Sequence, residues 1–374
     1  MNGFNDSLIN PILLLHIVKL FCKKRYNLMS QKKNVPMWFK ITNEKENHHD
    51  YKYEDGLNIL EEKFNDNPKE SCCKGGLYFT NAKYSLKYIG YGVRVRVVTL
   101  PTSRTDFKMV KDITGDKWRA NMIILNEWYA LSNVETFKFL VKCGADIHVD
   151  NDYALCWAAA AGYLDIVKYL VENGANVHVS NDLALRRSAK RGHFEIVKFL
   201  VENGANVSAD DDCAVIWAAK RGHLNIVEYL AGKGANVHAG NNLAFLLSAE
   251  YGHLPVVKYL VECRNPNPGS AWNLPCIDTN NEEYRYFWSV LFMCTNNNYA
   301  LRWSAQNGHL EVVQYLVECG ADIHADDECA LNWSARYNHP DVFNFLVKKG
   351  ARMNTGNNFI RVYSEKDHVR LEQS

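Results

Sequence analysis

One segment of about thirty residues recurs through the C-terminal two thirds of this 374-residue chain. Each copy starts with two polar residues that apolar residues follow, as in Asn-Asp-Tyr-Ala-Leu. The copies start at Asn151, Asn181, Asp211, Asn241, Asn297 and Asp327. The first four starts are 30 residues apart. Self-similarity at such a period is typical of a solenoid, in which each unit covers its apolar face only by stacking on its neighbours. The sequence therefore predicts an elongated stack that offers a surface to a partner.

Each copy predicts a pair of helices. In the first full copy, residues 154–161 form a short helix that Asn151 or Asp152 caps. Gly162 ends this helix, because glycine adopts the left-handed conformation without the cost that a Cβ atom imposes. A second amphipathic helix follows and ends before Gly174. The position of Gly162 recurs as Gly192, Gly222, Gly252, Gly308 and Asn338.

A small side chain also recurs within the first helix of every copy. The residues at this position are Ala159, Ala189, Ala219, Ala249, Ala305 and Ala335. Helix propensity alone would accept leucine, lysine or glutamate there. The recurring alanine therefore predicts that neighbouring helices approach closely in each layer.

The segment 192–207, Gly-His-Phe-Glu-Ile-Val-Lys-Phe-Leu-Val-Glu-Asn-Gly-Ala-Asn-Val, resembles the second helix and loop of an ankyrin repeat almost residue for residue. Before the first helix, Asn-Asp-Tyr-Ala-Leu stands where ankyrin repeats have Gly-x-Thr-Pro-Leu-His, and three of the usual 33 residues are missing. The resemblance implies a trimmed β-finger and a binding surface displaced towards the helices. This shorter variety is similar to the ankyrin proteins of giant DNA viruses of the mimivirus type.

The predicted fold class is mainly α, an ankyrin-like helical solenoid of shortened 30-residue repeats that follows a small α+β domain. Four segments are predicted: a basic, disordered extension (1–34), the α+β module (35–120), a solenoid of seven units (121–356) and a C-terminal tail (357–374). An insertion at about 265–296 interrupts the solenoid because 56 residues separate Asn241 from Asn297. The α+β module resembles the one that precedes the repeats in the giant-virus proteins.

Three parts of this organisation rest on weaker patterns. Moving the repeat register back by one period makes 121–150 the first unit, with a degenerate first helix near 121–130. In the insertion, aromatic residues within 282–294 recur at helical spacing, which favours either a partner anchor or a cover over a gap in the stack.

The first 40 residues carry seven lysines and arginines and one aspartate, which gives 7 − 1 = +6. They form an extension, a targeting segment or a membrane-surface helix, or translation starts later, at Met29 or Met37.

Composition excludes several classes of function. The formal net charge of +1 gives no overall bias towards nucleic acid, so that class of partner is disfavoured. The 11 cysteines are scattered without CxxC pairs, which indicates a reducing compartment, and we expect an intracellular location such as the host cytoplasm, with the nucleus left open. The apolar stretch 8–21 is too short to span a bilayer.

The 13 histidines do not predict a metal site. Successive copies fall in different layers of the stack, so they do not converge on one ion. One repeat position holds His193, His223, His253, His309 and His339, and another holds His178, His238 and His324. A hydrogen-bonding role in the loops accounts for them, and we expect neither metal nor cofactor.

Variable positions of the first helix carry the candidate partner contacts, because the stack leaves them free. A basic ridge is predicted from Arg186, Arg187, Lys190, Arg191, Lys220 and Arg221, and aromatic contacts from Trp157, Trp217, Trp303 and Trp333. Such a patch suits an acidic segment of an unidentified protein, or less readily nucleic acid. The alternative is an ordinary solvated surface. The predicted function is a protein-protein interaction scaffold without catalytic residues.

An enzymatic alternative lies in the N-terminal module, where Val93, Val95 and Val97 also predict a strand. The order of His49, Tyr78 and Glu127 resembles that of ADP-ribosyltransferases, in which the histidine and tyrosine hold the nicotinamide end of NAD and the glutamate stabilises the oxocarbenium ion. The glycine that usually follows the histidine is absent. A Walker loop, a nucleophile elbow and a zinc signature are also absent from the sequence.

Overall fold

The computed structural model describes residues 36–48, 51–262 and 298–353. The predicted features that fall outside these residues are the extension 1–34, His49, the insertion at 265–296 with its aromatic stretch, and the tail 357–374. The chain divides into two compact units, Met1–Asp146 and Ile147–Ser374. The boundaries predicted for the four segments stay predictions.

The first unit is built on antiparallel strands. These are β1 (Trp38–Thr42), β2 (Asn47–His48), β3 (Tyr51–Lys52), β4 (Gly56–Ile59), β5 (Leu77–Asn81), β6 (Arg94–Thr99), β7 (Met109–Lys111), β8 (Trp118–Ala120) and β9 (Met122–Ala130). Seven of them form one sheet in the order β4-β9-β6-β1-β5-β8-β7, while β2 pairs with β3. The 3-10 helix Ala82–Tyr91 and the α-helix Val134–Lys142 also belong to this unit, and its core includes Leu77, Phe79, Val98, Ile123 and Leu125. The unit is therefore α+β, as predicted.

The strand predicted around Val93–Val97 is present as β6, but its two faces do not alternate simply. A register shift between Arg96 and Val98 interrupts the pairing with β9. As a result, Val95 and Val98 are both buried, while Val97 is only half-buried. Arg96 is buried as well, and its guanidinium contacts the carboxylates of Glu46 and Asp55. The bulge therefore places a charged side chain inside, where a regular strand would have kept it outside.

The helix predicted near 121–130 is wrong, because these residues form β9. This strand pairs with β4 on one side, where Leu57 faces Ile124, and with β6 on the other, where Val98 faces Leu125. Ile123 and Leu125 are fully buried in the core of the sheet. The sheet therefore satisfies the backbone of a segment rich in isoleucine, leucine and aromatic residues, which prefer strands. Of the predicted first repeat, 121–150, only the second helix is present, at Val134–Lys142.

The second unit consists of helical hairpins. The first helices of hairpins one to six are Val149–Ala161, Val179–Arg191, Ala209–Lys220, Ala239–Glu250, Tyr299–Gln306 and Ala325–Arg336. The second helices are Leu164–Glu172, Phe194–Glu202, Leu224–Gly232, Leu254–Glu262, Leu310–Glu318 and Pro340–Lys348. The parts of this unit that the structure describes contain no strand. The described residues therefore contain six complete helical hairpins, where seven units were predicted for 121–356.

Glycines and alanines occupy the places that the sequence predicts. Gly162 ends the first helix of hairpin one with φ 84°, and Asn338 has the same left-handed conformation in hairpin six with φ 63°. The alanine position is fully buried in hairpins one to five. Ala335, in the last hairpin, is only half-buried. Neighbouring first helices lie side by side, so the alanines allow the close approach that was predicted.

In most hairpins, the second to fourth residues of the first helix have positive φ and form a short left-handed turn, so the right-handed part of the helix begins after them. In hairpin two they are Ser180, Asn181 and Asp182, with φ between 51° and 56°. The Oδ1 atom of Asp182 accepts a hydrogen bond of 3.0 Å from the backbone N–H of Asn206, in the loop that leads to the next hairpin. Asp212 accepts the equivalent bond from Asn236 at 2.8 Å. The residues predicted as simple caps therefore form a left-handed turn that joins successive repeats, and short polar side chains tolerate that conformation best.

The stack continues across the insertion. Hairpin four ends its first helix at Glu250, whose carbonyl oxygen lies 2.9 Å from Nε2 of His309 in hairpin five. The side-chain amide of Asn307 donates to the same oxygen at 3.1 Å. Hairpins four and five are therefore direct neighbours, and the stack has no gap at this point for an aromatic stretch to cover.

Candidate interaction surface

The first helices of successive repeats form a continuous surface, because each lies beside the next in the stack. Within each helix, one face is buried and another is open. In hairpin two, Ala184, Leu185 and Ala189 are fully buried, whereas Arg187 and Lys190 are half-buried. The positions that face outward differ from copy to copy, so this surface can be specific without disturbing the stack.

Cationic and aromatic side chains alternate across three repeats. Nζ of Lys190 in hairpin two lies 3.8 Å from the ring centroid of Trp217 in hairpin three. Lys220 lies 5.3 Å from the same ring and 4.7 Å from the ring of Tyr251 in hairpin four. Both lysines are therefore held in cation–π contacts that fix where their charges are presented. We call Arg187, Lys190, Trp217, Lys220 and Tyr251 the basic-aromatic strip.

Arg186 was predicted to belong to the ridge, but its guanidinium makes contacts within the stack. It donates to the carbonyl oxygens of Asn181 at 2.8 Å and Ser180 at 2.7 Å, both in the left-handed turn of its own repeat. It also pairs with the carboxylate of Asp210 in the next repeat. Arg302 pairs with Asp326 in the same way in hairpins five and six. Arg186 therefore stabilises the turn and its neighbour.

The remaining predicted contacts also lie on the first helices of the hairpins or at the ends of these helices. Arg191 and Arg221 are exposed at the ends of the first helices of hairpins two and three. Trp157 is in ring contact with Tyr163 at 5.3 Å, Trp303 with Tyr299 at 5.6 Å and Trp333 with Tyr337 at 5.8 Å. All three tryptophans are half-buried. Each therefore shields part of a neighbouring tyrosine and leaves an aromatic edge on the surface.

Tyr251 is the member of the surface that the sequence analysis missed. Its side chain is 41% exposed and accepts a cation–π contact from Lys220. The equivalent positions in hairpins two and three hold Arg191 and Arg221, so comparison of the copies does not predict an aromatic residue at position 251. Its signal was the repeat register, which places it one repeat after Arg221 at the end of the first helix.

The histidines at the start of the second helices join one repeat to the one before. Nε2 of His193 lies 3.2 Å from the carbonyl oxygen of Ala160, and Nε2 of His253 lies 3.0 Å from that of Lys220. Burial lowers the pKa of His223 and of His309 below the usual histidine value. For His193, His253 and His309 the predicted hydrogen-bonding role is confirmed, and it acts between repeats. At the other position, His178, His238 and His324 bond instead within their own turn, to Asp182, Asn242 and Glu328. Across 36–48, 51–262 and 298–353, three or more ligand side chains do not gather into a metal-binding group.

Two residues of the enzymatic alternative, Tyr78 and Glu127, lie apart in the first unit. Tyr78 is on β5 and Glu127 on β9, and two strands, β1 and β6, separate them in the sheet. Three strand spacings amount to about 14 Å. Glu127 accepts a hydrogen bond of 3.0 Å from the hydroxyl of Tyr129.

Tyr78 contributes to the structure of a loop. Its hydroxyl accepts from Arg119 at 3.2 Å and donates to the carbonyl of Cys73 at 3.1 Å. Burial, with the contact to Cys73, raises the pKa of Tyr78 to about 12. A nearby cavity of about 180 Å³ has a lining that includes Tyr51, Tyr53 and Glu61 but neither Tyr78 nor Glu127. The tyrosine and glutamate therefore do not meet in this cavity.

None of the helices in the described ranges is both long enough and apolar enough to cross a bilayer.

Comparisons with known proteins agree with this architecture. Ankyrin repeat protein R868 of Acanthamoeba polyphaga mimivirus is 45% identical over 141 residues, which is 38% of this chain and 69% of the relative. Protein R869 of the same virus is 44% identical over 135 residues, 36% of this chain and 96% of the relative. Ankyrin repeat protein R229, from that virus too, is 39% identical over 186 residues, 45% of this chain and 59% of the relative.

Among solved structures, the human ASB11 ankyrin repeat domain matches with a TM-score of 0.40 and 22% identity, over 55% of this chain and 86% of that one. The sequence model described as "Ankyrin repeats (3 copies)" matches residues 127–211, 209–270 and 280–357. These segments cover more than half of the chain. Together with the stacked hairpins, they show that the chain belongs to the ankyrin-repeat family and is akin to the ankyrin proteins of giant viruses.

Proposed function

We propose that this chain is a non-enzymatic scaffold that binds a protein partner through the surface of its first helices. Ankyrin repeats are in general protein-protein interaction modules, and the observation that supports this surface is the basic-aromatic strip. The strip runs across three repeats at positions that the stack leaves variable. Aromatic and arginine side chains contribute most to the energy of protein interfaces.

The partner that we propose is a host protein, met inside the cell. Two observations support this. The relatives named above are proteins of a virus that infects an amoeba. The free cysteines among the described residues, such as Cys72 and Cys213, suit a reducing compartment such as the host cytoplasm.

Site-specific photo-crosslinking tests the proposed surface. Benzoylphenylalanine replaces Tyr251, which is exposed on the first helices, or Lys198, which is exposed on the second helix of hairpin two. After irradiation in amoebal lysate, we expect a protein crosslinked from position 251 and not from position 198. Equal crosslinking from both positions, or crosslinking from 198 alone, would overturn the proposed surface.

The ADP-ribosyltransferase alternative makes a different prediction, since it needs NAD. We propose that the chain lacks this activity, because Tyr78 and Glu127 lie three strand positions apart. The test is incubation of the purified chain and lysate proteins with labelled NAD. Label transfer that disappears in the Glu127→Ala variant would establish the enzyme instead.

A further inference from the structure

The basic-aromatic strip has a charge pattern that selects a class of partner, and this inference rests on the proposed function. Arg187, Lys190 and Lys220 lie on it, with Arg191 and Arg221 at its margin. Within the described residues, none of these five cations forms a salt bridge, whereas the neighbouring Arg186 pairs with Asp210. Their charges are therefore available to carboxylates of a partner.

The lysines are also oriented. Each ammonium group lies over an aromatic ring, with Lys190 3.8 Å from the Trp217 centroid and Lys220 4.7 Å from the Tyr251 centroid. A lysine held in this way loses less side-chain entropy on binding than a free one. Lys190 and Lys220 occupy the same place in adjacent repeats, and packed helices are about 10 Å apart. Both ammonium groups also lie near the Trp217 ring, at 3.8 Å and 5.3 Å from its centroid, so the strip presents two ordered cations that are at most about 9 Å apart.

The positive region is short. In hairpin one, Ala160 and Ala161 take the places of Lys190 and Arg191, and in hairpin four Glu250 takes the place of Lys220. Half-buried apolar side chains, Leu183 and Ile216, lie on the same first helices. A nucleic-acid backbone would continue its charge beyond two repeats and would leave the apolar side chains without a counterpart. A polypeptide with alternating acidic and apolar residues matches both.

We infer that the strip binds an acidic segment of a partner protein whose carboxylates lie about 9 Å apart, with apolar side chains between them. In a polyproline II segment, which has three residues per turn and advances about 3.1 Å per residue, acidic residues at every third position lie on one face about 9 Å apart. The carboxylates pair with Lys190 and Lys220, and Arg187 lies beside them on the same surface.

Fluorescence anisotropy with the full chain tests the inference. The probe is a labelled peptide of about eight residues, enough to span two repeats, with glutamate at every third position and leucine or serine between. A second peptide carries lysine in place of glutamate. A single-stranded DNA oligonucleotide of similar length is the third probe.

Two double variants are compared with the wild type. Lys190→Met/Lys220→Met removes the charges of the strip but keeps the apolar stems that cover Trp217. Lys168→Met/Lys198→Met removes the same charge from the exposed face of the second helices. We expect the acidic peptide to bind the wild type, to bind the strip variant about tenfold more weakly, and to bind the second-helix variant within about twofold of the wild type. Circular dichroism checks that both variants are folded.

Several results would overturn the inference. These are equal binding of the acidic peptide to all three proteins, equal binding of the lysine peptide, and tighter binding of the oligonucleotide. If no peptide binds while crosslinking from position 251 persists, the acidic-segment inference fails and the proposed function stands. If crosslinking from position 251 is absent and the acidic peptide does not bind either, the proposed function fails and the inference fails with it.

Discussion

The imidazole of His193 lies directly against Gly162 of the preceding repeat. A Cβ atom added to Gly162 would lie 2.7 Å from Cε1 of His193. The same ring places Nε2 3.2 Å from the carbonyl oxygen of Ala160, which is near the end of the same helix. Two features therefore require glycine at position 162: its left-handed φ of 84°, and the contact with the histidine that joins the two repeats.

Replacement of Gly162 by alanine should destabilise the solenoid by about 2 to 3 kcal/mol. About 1 to 2 kcal/mol of this is the cost of a Cβ atom at positive φ, and about 1 kcal/mol is the weakened hydrogen bond of His193. The measurement is the free energy of unfolding from urea denaturation. Gly174→Ala is the matched control, since Gly174 has φ 96° but no atom within 4 Å of an added Cβ.

The difference between the two variants isolates the contact with the histidine. A further His193→Ala substitution should cost less in the Gly162→Ala background than in the wild type, because the hydrogen bond that it removes is already weakened there. Equal destabilisation by Gly162→Ala and Gly174→Ala would contradict the role given to His193.

Substitution of Ala189 by leucine should cost about 1 to 3 kcal/mol, because leucine overpacks a fully buried position between neighbouring first helices. Helix propensity differs little between the two residues, so packing decides the result. Ala335→Leu in the last hairpin is the control, since Ala335 is only half-buried. Thermal unfolding followed by circular dichroism should give a clearly larger drop for Ala189→Leu, and a drop of the same size in both would argue against close packing.

The pair Arg186 and Asp210 should show a coupling energy of about 0.5 to 1 kcal/mol in a double-mutant cycle. The value is modest because the Asp210 side chain is 46% exposed, although that of Arg186 is only 17% exposed. The variants are Arg186→Met, Asp210→Ala and the double variant, with unfolding free energy as the readout. Arg187→Met replaces Arg186→Met in the control cycle, and coupling as large in that cycle would contradict the pairing.

The solenoid should lose stability as the pH falls through the range below about 6.5, the ordinary histidine value. Burial lowers the pKa of His223, His238 and His309 in the folded chain. In this range the unfolded chain binds more protons than the folded chain, so the free energy of unfolding rises with pH. Acidification therefore lowers the free energy of unfolding. The measurement is the urea midpoint at pH 7.5 and pH 5.5, combined with NMR titration of the imidazole protons.

His223→Gln, which cannot take up a proton, should remove part of this pH dependence. A urea midpoint that does not change with pH, or imidazole pKa values at or above the ordinary histidine value, would show that burial does not lower the pKa of these histidines in the folded chain.

Much of the second unit could be predicted from the sequence, because the stack imposes the same demands on every copy. Gly162, its equivalents and the buried alanines recur for steric reasons, and steric demands are visible as residue types. The left-handed turn was less predictable. Asp182 and Asp212 are equally suited to capping a helix and to positive φ, so local propensity did not distinguish the two.

The first unit was predicted less completely. Extension of the repeat register predicts a degenerate helix near 121–130, although Ile123, Leu125 and Trp128 favour a strand. The partners of this strand, β4 and β6, are distant in sequence, and single-sequence patterns do not identify them. Within the candidate surface, Lys190, Trp217 and Lys220 lie together, Arg186 is held within the stack, and Tyr251 was not among the predicted residues. Their role in partner binding stays a prediction.

Amide hydrogen exchange on the complex with the crosslinked partner tests the central claim most directly. The claim predicts slower exchange on binding in the first helices of hairpins two and three, Val179–Arg191 and Ala209–Lys220, with the second helices Phe194–Glu202 and Leu224–Gly232 unchanged. Protection confined to the second helices, or to the strands of the first unit, would contradict it.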